Sequence, residues 1–205
     1  HNEFIERAKD YLPTASLQEA GTFYKNLLEK NYDKGLIKEL AKVDRWFLLV
    51  VLLNRKDAVH PWLYDRCREV EKSPDGILDL WARGHYKSTL ITYAGSIQEI
   101  LKNPNITIGI FSHTRPIAKG FLKQIKREFE VNEFLRDLYP EVCYSNPRQD
   151  SPQWSEDAGI IVRRKSNPKE ATVEAWGLVD GQPVSRHYDL RIYDDVVTRD
   201  SVNTP

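Results

Sequence analysis

Methionine is absent from this 205-residue chain, and cysteine occurs only twice, as Cys67 and Cys143. Two isolated cysteines exclude a disulfide framework and lack the paired spacing of a thiolate metal site, so they read as reduced thiols of a cytosolic protein. The histidines (His1, His60, His85, His113 and His187) are scattered without i, i+4 partners, which excludes a helical zinc motif. Charge of one sign is not in excess: 30 Lys and Arg balance 30 Asp and Glu. A strong whole-domain field for nucleic acid is thereby excluded, although local basic clusters remain at Lys119, Lys123, Lys126, Arg127 and at Arg163-Arg164-Lys165. Long apolar runs are missing too. The longest, Trp46 to Leu53, falls well short of the roughly 18 residues a membrane span needs. The N-terminus has no signal-peptide layout, and its start at His1 without methionine reads as a processed or engineered segment. The carboxylate cluster of a two-metal nuclease does not appear either.

What the chain does contain is ordinary globular chemistry, 40% apolar and 29% charged residues, enough for one full hydrophobic core. Its most informative stretch is Leu78-Asp-Leu-Trp-Ala-Arg83-Gly84-His85-Tyr86-Lys87-Ser88-Thr89-Leu90. An apolar run, Ile77–Trp81, predicts a strand; a short loop follows, and a helix is predicted over Ser88–Leu101. Strand, loop and helix in that order form the context of a phosphate-binding loop, in which backbone N–H groups and the helix N-terminus favour an anion. Lys87 reaches the β- and γ-phosphates of ATP, and the Ser88 hydroxyl takes a place on Mg2+. The common pattern G-x-x-x-x-G-K-[ST] has glycine where this chain has Trp81 and Tyr86, so only Gly84 remains inside the loop. The alternative is a plain turn with Lys and Ser on its surface.

A second site decides between these. Leu190-Arg-Ile-Tyr193-Asp194-Asp195 reads as a buried strand ending in adjacent carboxylates. At the tip of such a strand the first acid, Asp194, holds Mg2+, and Asp195 orients or deprotonates the attacking water. The alternative is an Asp-rich turn after a strand. The long interval from Lys87 to Asp194 accommodates the intervening elements of an additional-strand ATPase.

With both sites in place the chain resembles the large terminase subunit of tailed bacteriophages, the motor that packages DNA. The resemblance rests on Ala82-Arg83-Gly84-His85-Tyr86-Lys87-Ser88-Thr89, on Phe111-Ser-His-Thr114 with Pro116-Ile-Ala-Lys119, on Gly181 through Asp195, and on His60-Pro-Trp-Leu-Tyr64. It covers about residue 40 to the end. It implies an α/β P-loop NTPase fold of the additional-strand type, with a mainly parallel central sheet flanked by helices. Residues 1–55 would form a helical N-terminal extension and residues 56–205 an ATPase domain shortened at its C-terminus, with the nuclease domain of the family absent. It further implies ATP and Mg2+ as ligands, double-stranded DNA, portal protein and small terminase subunit as partners, a homo-oligomeric ring, and the cytoplasm of a bacterial host. Arg83, Gly84, His85, Tyr86, Lys87, Ser88 and Thr89 would surround the nucleotide. Arg83 either neutralises γ-phosphate charge or braces the loop through a salt bridge. Arg186 is a candidate arginine finger for a neighbouring subunit, with Arg163 and Arg164 as competitors. Trp62 or Tyr64 either stacks on adenine or packs in the core. Another P-loop enzyme, helicase-like or a kinase, and a non-catalytic assembly module with a degenerate loop are the rival readings.

Elsewhere, residues 2–12, 34–53 and 58–72 read as helices, the last interrupted near Pro61. Ile106–Phe111 reads as a strand, and Pro116–Glu130 as a helix with Ile117, Phe121, Ile125 and Phe129 as its apolar stripe. A short helix is expected at 132–138 and a mobile surface loop at 145–156. Gly159–Val162, Ala171–Trp176 and Tyr188–Tyr193 complete the predicted strands.

Overall fold

The computed structural model describes residues 2–30, 33–72, 76–81 and 84–197. The chain forms two compact units, His1–Gln98 and Glu99–Pro205. Among the described residues no helix is long and apolar enough to cross a membrane.

The first unit is helical. Helix α1 (Asn2–Tyr11) buries Ile5 and Ala8 on one face. Helix α2 (Leu17–Lys30) starts at a reciprocal cap: the Ser16 amide donates to the Glu19 carboxylate at 2.8 Å, and the Glu19 amide donates to Ser16 Oγ at 3.3 Å. Ser-x-x-Glu satisfies two N-terminal amides at once; sequence analysis passed over this helix although its start signal is present. Helix α3 (Lys34–Val43) opens on Asp33, whose side chain accepts from the Leu36 amide at 3.1 Å, and buries Leu36, Ile37, Leu40 and Ala41. The helix predicted over 34–53 is broken at Asp44, which is extended and caps a new start: its Oδ1 accepts from the Phe47 amide at 2.9 Å. Helix α4 (Arg45–Phe47) then widens into a π-helical turn, Leu48–Leu52, and a 3-10 turn follows at Lys56–Ala58.

Helix α5 (Pro61–Lys72) begins at Pro61, where a missing amide costs nothing. Tyr24, Trp46, Phe47 and Tyr64 form the aromatic centre of the unit, with Tyr24 and Phe47 ring centroids 4.8 Å apart. A π-helical segment, Thr89–Ala94, leads into α6 (Gly95–Lys102), as the predicted helix over Ser88–Leu101 requires.

Residues 77–81 do not form the expected strand. Among the described residues they have no ladder partner, and Leu78 and Leu80 are 82% and 85% exposed. Asp79 is instead tied locally, accepting from Trp81 Nε1 at 3.1 Å and from the Arg66 guanidinium. Apolar composition marked the segment, but a strand exists only where a neighbour pairs with it.

The second unit is an α/β layer. Its five-stranded sheet has the order β2-β3-β4-β1-β5, from β1 (Ile108–Ser112), β2 (Trp154–Ser155), β3 (Gly159–Ile160), β4 (Val173–Gly177) and β5 (Leu190–Tyr193). β1 pairs in parallel with both β4 and β5, whereas β2–β3 and β3–β4 are antiparallel. The sheet is therefore mixed rather than mainly parallel, because β3 runs antiparallel to β4, with Ile160 opposite Val173. Every residue of β1 is buried, the pattern of a central strand covered on both faces. At Gly109 a Cβ would sit 2.6 Å from the Tyr188 ring, so only glycine lets that ring lie on the sheet.

Helix α7 (Arg115–Val131) packs on β1 and β4 through Ala118, Leu122, Ile125 and Phe129. The expected stripe is rotated: Ile117 is 42% exposed, since a stripe at strict four-residue spacing drifts around a helix of 3.6 residues per turn. Helix α8 (Glu133–Leu138) follows, capped by Asn132. The segment 145–156 is not a bare loop; it carries α9 (Pro147–Asp150) and β2. Glu130 anchors both, accepting from Trp154 Nε1 at 2.9 Å and from Arg148 at 3.1 and 3.2 Å.

Candidate functional site

Each unit carries one half of the residues singled out by sequence. In the first, the helix begins at Lys87, and the Leu90 amide closes the first turn onto the Tyr86 carbonyl at 2.9 Å. Among the described residues of the loop before it, Gly84 with φ +79° and Tyr86 with φ +64° are left-handed. Glycine enters that region freely. Tyr86, by contrast, stands in a conformation that L-residues avoid, at the position where the common phosphate-loop pattern has its second glycine. The backbone therefore turns as a glycine would turn it, without the glycine. Lys87, Ser88 and Thr89 follow in the first helical turn and are half-buried, while Gly84 and His85 are exposed. Arg83 lies outside the described residues.

The Tyr86 side chain is held. Its hydroxyl donates to Asp57 Oδ2, and the Arg55 guanidinium lies 5.6 Å from its ring centroid. Arg55 in turn grips Asp57 with two hydrogen bonds, Nε to Oδ1 at 3.1 Å and Nη2 to Oδ2 at 2.8 Å. The Arg55 hydrogen bonds, followed by that of Tyr86, hold the Asp57 carboxyl far below the usual carboxylate range. The same carboxylate raises the Tyr86 phenol above its ordinary value. Sequence reasoning missed Arg55 and Asp57, which lie far upstream of the loop.

Aromatic groups border the loop. The His85 ring meets Trp62 edge-on at 5.6 Å, Trp62 meets Trp81 at 5.0 Å, and the Arg66 guanidinium covers Trp81 at 4.8 Å. Trp62 is 38% exposed. Tyr64 is a core residue, buried with its hydroxyl donating to the Leu12 and Ala15 carbonyls at 3.1 and 2.9 Å.

In the second unit β5 is shorter than expected and lies at the edge of the sheet among the described residues; of its four positions only Ile192 is fully buried. Asp194 continues the ladder by one bond, its amide donating to the Phe111 carbonyl at 2.9 Å, and its side chain is buried. Asp195 turns left-handed with φ +50° and is exposed. Its carbonyl accepts from the His113 amide at 3.2 Å and from Ser112 Oγ at 3.4 Å, which pins the turn to the end of β1. Two adjacent acids thus occupy opposite environments, one sequestered at a strand tip and the other open to water.

Arg186 Nη1 donates to the Lys169 carbonyl at 2.9 Å and stands 3.6 Å from Glu174 Oε1. Its competitors are also engaged: Arg163 on the Pro140 carbonyl at 2.8 Å, and Arg164 on the Glu170 carbonyl at 2.9 Å. Lys119 and Lys126 pair with Asp157 and Glu156. Two members of that basic cluster are thus engaged by acidic partners within the second unit.

No group of three or more His, Cys, Asp or Glu among the described residues could hold a metal ion. Ser88 in the first unit offers a hydroxyl oxygen and Asp194 in the second a carboxylate oxygen, donor types that suit Mg2+. In comparisons with known proteins, no family model, curated protein or solved structure matches the chain. The class defined by the fold is thus an α/β protein with a five-stranded mixed sheet flanked by helices, preceded in the chain by a helical unit.

Proposed function

We propose that the chain is the ATP-hydrolysing part of a DNA-packaging motor of the large-terminase kind, built on a P-loop NTPase fold of the additional-strand type. One observation carries the reading: the loop before Lys87-Ser88 adopts a left-handed turn at both Gly84 and Tyr86 and delivers the chain directly into a helix. Such a turn lets successive backbone N–H groups converge on an anion at a helix N-terminus. The acidic pair after β5 supports the same reading.

In this account the loop amides and Lys87 hold the β- and γ-phosphates, with Arg83, His85 and Thr89 alongside. Ser88 and Asp194 are the residues that would hold Mg2+, which when bound neutralises phosphate charge. Asp195, exposed at the end of β5, orients a water and accepts its proton as the water oxygen attacks the γ-phosphorus. The bond from that phosphorus to the bridging oxygen breaks, giving ADP and inorganic phosphate. Positioning and charge neutralisation supply most of the acceleration. Arg186 is the proposed finger from a neighbouring subunit of a ring. Double-stranded DNA is the proposed cargo, the portal protein and small terminase subunit the proposed partners, and the bacterial host cytoplasm the proposed location.

The test is hydrolysis in the presence of double-stranded DNA. Asp195→Ala is expected to retain Mg-ATP binding and lose turnover by about 100- to 10,000-fold, the range attributed to a positioned general base. Unchanged turnover in that variant overturns the assignment.

A further inference from the structure

Tyr86 poses a physical problem that the proposed function leaves open. A side chain in the left-handed region disfavours that conformation by roughly tenfold in population, relative to a glycine that enters it freely. Such a residue persists only where its surroundings hold it. Here they do so through the side chain rather than the backbone. The Tyr86 hydroxyl donates to Asp57 Oδ2, Arg55 covers the ring at 5.6 Å, and Arg55 binds both Asp57 oxygens. The three groups close a triangle in which each touches the other two.

The far corner of that triangle is fixed. Asp57 sits in the 3-10 turn Lys56–Ala58, whose Ala58 carbonyl accepts from Trp46 Nε1 at 3.2 Å. Trp46 is itself buried against Tyr24 and Tyr64. A charged acceptor on a core-anchored turn therefore reaches the one loop residue that precedes Lys87. Hydrogen bonds to an ionised carboxylate are about twice as strong as neutral ones, and Arg55 keeps Asp57 ionised.

We propose that Tyr86 is a positioning residue, a side-chain latch that takes over the work of the loop glycine. Through Asp57 and Arg55 it holds residue 86 left-handed and so presets the amide and side chain of Lys87 for a nucleotide phosphate. The proposal rests on the nucleotide-binding reading and deepens it. Its consequence is a loop pre-organised by contact, in which the ordering is complete before the ligand arrives.

The experiment is Mg-ATP affinity, by calorimetry, for a set of variants of the full chain. Tyr86→Ala removes the latch yet keeps the Cβ, and is expected to weaken binding about tenfold or more. Tyr86→Gly also removes the latch but takes the left-handed turn freely, and is expected to recover most of that loss. A general loss of packing would predict the opposite order, with glycine worst. Tyr86→Phe and Asp57→Ala each remove one partner of the same hydrogen bond; both should weaken binding, and the double variant no further than Asp57→Ala alone. Lys87→Ala tests the underlying reading separately, since it removes a phosphate contact whatever holds the loop. Binding lost in Lys87→Ala but unchanged in all Tyr86 and Asp57 variants discards the latch and leaves the nucleotide site. Glycine binding no better than alanine discards it too. Absence of binding by the unaltered chain discards both.

Discussion

Asp189 and Thr107 are joined by three hydrogen bonds. The Thr107 amide and hydroxyl both donate to Asp189 Oδ2 at 2.9 Å, and the Asp189 amide donates back to Thr107 Oγ1 at 3.1 Å. These residues precede β5 and β1, and the next bond, from the Leu190 amide to the Thr107 carbonyl at 3.1 Å, starts the parallel ladder. A slip of one residue would exchange the faces of β5. The clasp therefore sets which carboxylate after Tyr193 is sequestered and which is open.

Asp189→Ala should destabilise the fold by about 1–3 kcal/mol, the cost of stranding the donors of buried Thr107. Chemical denaturation measures it. Thr107→Val, which deletes the hydroxyl but keeps the amide donor, should cost less. Equal stability of Asp189→Ala and the parent would remove the clasp from the account.

A buried ion pair holds the first unit. Arg68 Nη2 donates to Asp44 Oδ2 at 2.8 Å, with the side chains 9% and 1% exposed, and the Tyr24 hydroxyl donates to the same oxygen. Asp44→Ala should cost about 3–5 kcal/mol, because it leaves the Arg68 charge buried without that partner. The paired change Asp44→Leu with Arg68→Met should be less damaging than Asp44→Ala, as urea midpoints will show. A double variant worse than the single one would contradict this.

Acid should loosen the second unit at Glu130. Burial alone would raise its carboxyl, but hydrogen bonds from Arg148 and Trp154, with the Lys126 charge, hold it below the ordinary value. A carboxyl depressed in the folded state adds stability above its unfolded value, about 4.3, and loses it as pH falls through the folded one. Glu130→Gln should therefore be less stable by about 1 kcal/mol near neutral pH, a modest figure because Arg148 is largely exposed. The gap should close only as the pH falls through the depressed folded value of Glu130, below which both side chains are neutral. Thermal melts across that range read the effect; a gap that widens toward acid would refute it.

The fold was readable where local chemistry and packing agree. The short helix at 132–138 and the strand ending at Tyr193 were legible from local pattern, whereas Pro61, expected to interrupt a helix over 58–72, starts it instead. Reading failed where a distant partner decides. Ile77–Trp81 has strand composition but no paired neighbour among the described residues, and Asp44 breaks a periodic helix because its carboxylate caps the next one. The phosphate loop shows both cases. Lys87-Ser88-Thr89 marked its helix start directly. The reason a tyrosine can stand at position 86 lies in Arg55 and Asp57, which no spacing rule connects to it.

The central claim is that the loop at Lys87 binds a nucleotide. Calorimetric titration of the chain with Mg-ATP, beside Lys87→Ala, tests it most directly. The account predicts saturable binding to the parent chain and at least a hundredfold weaker binding, about 2.7 kcal/mol, in the variant. Equal affinity of the two proteins, or no binding to either, would contradict it.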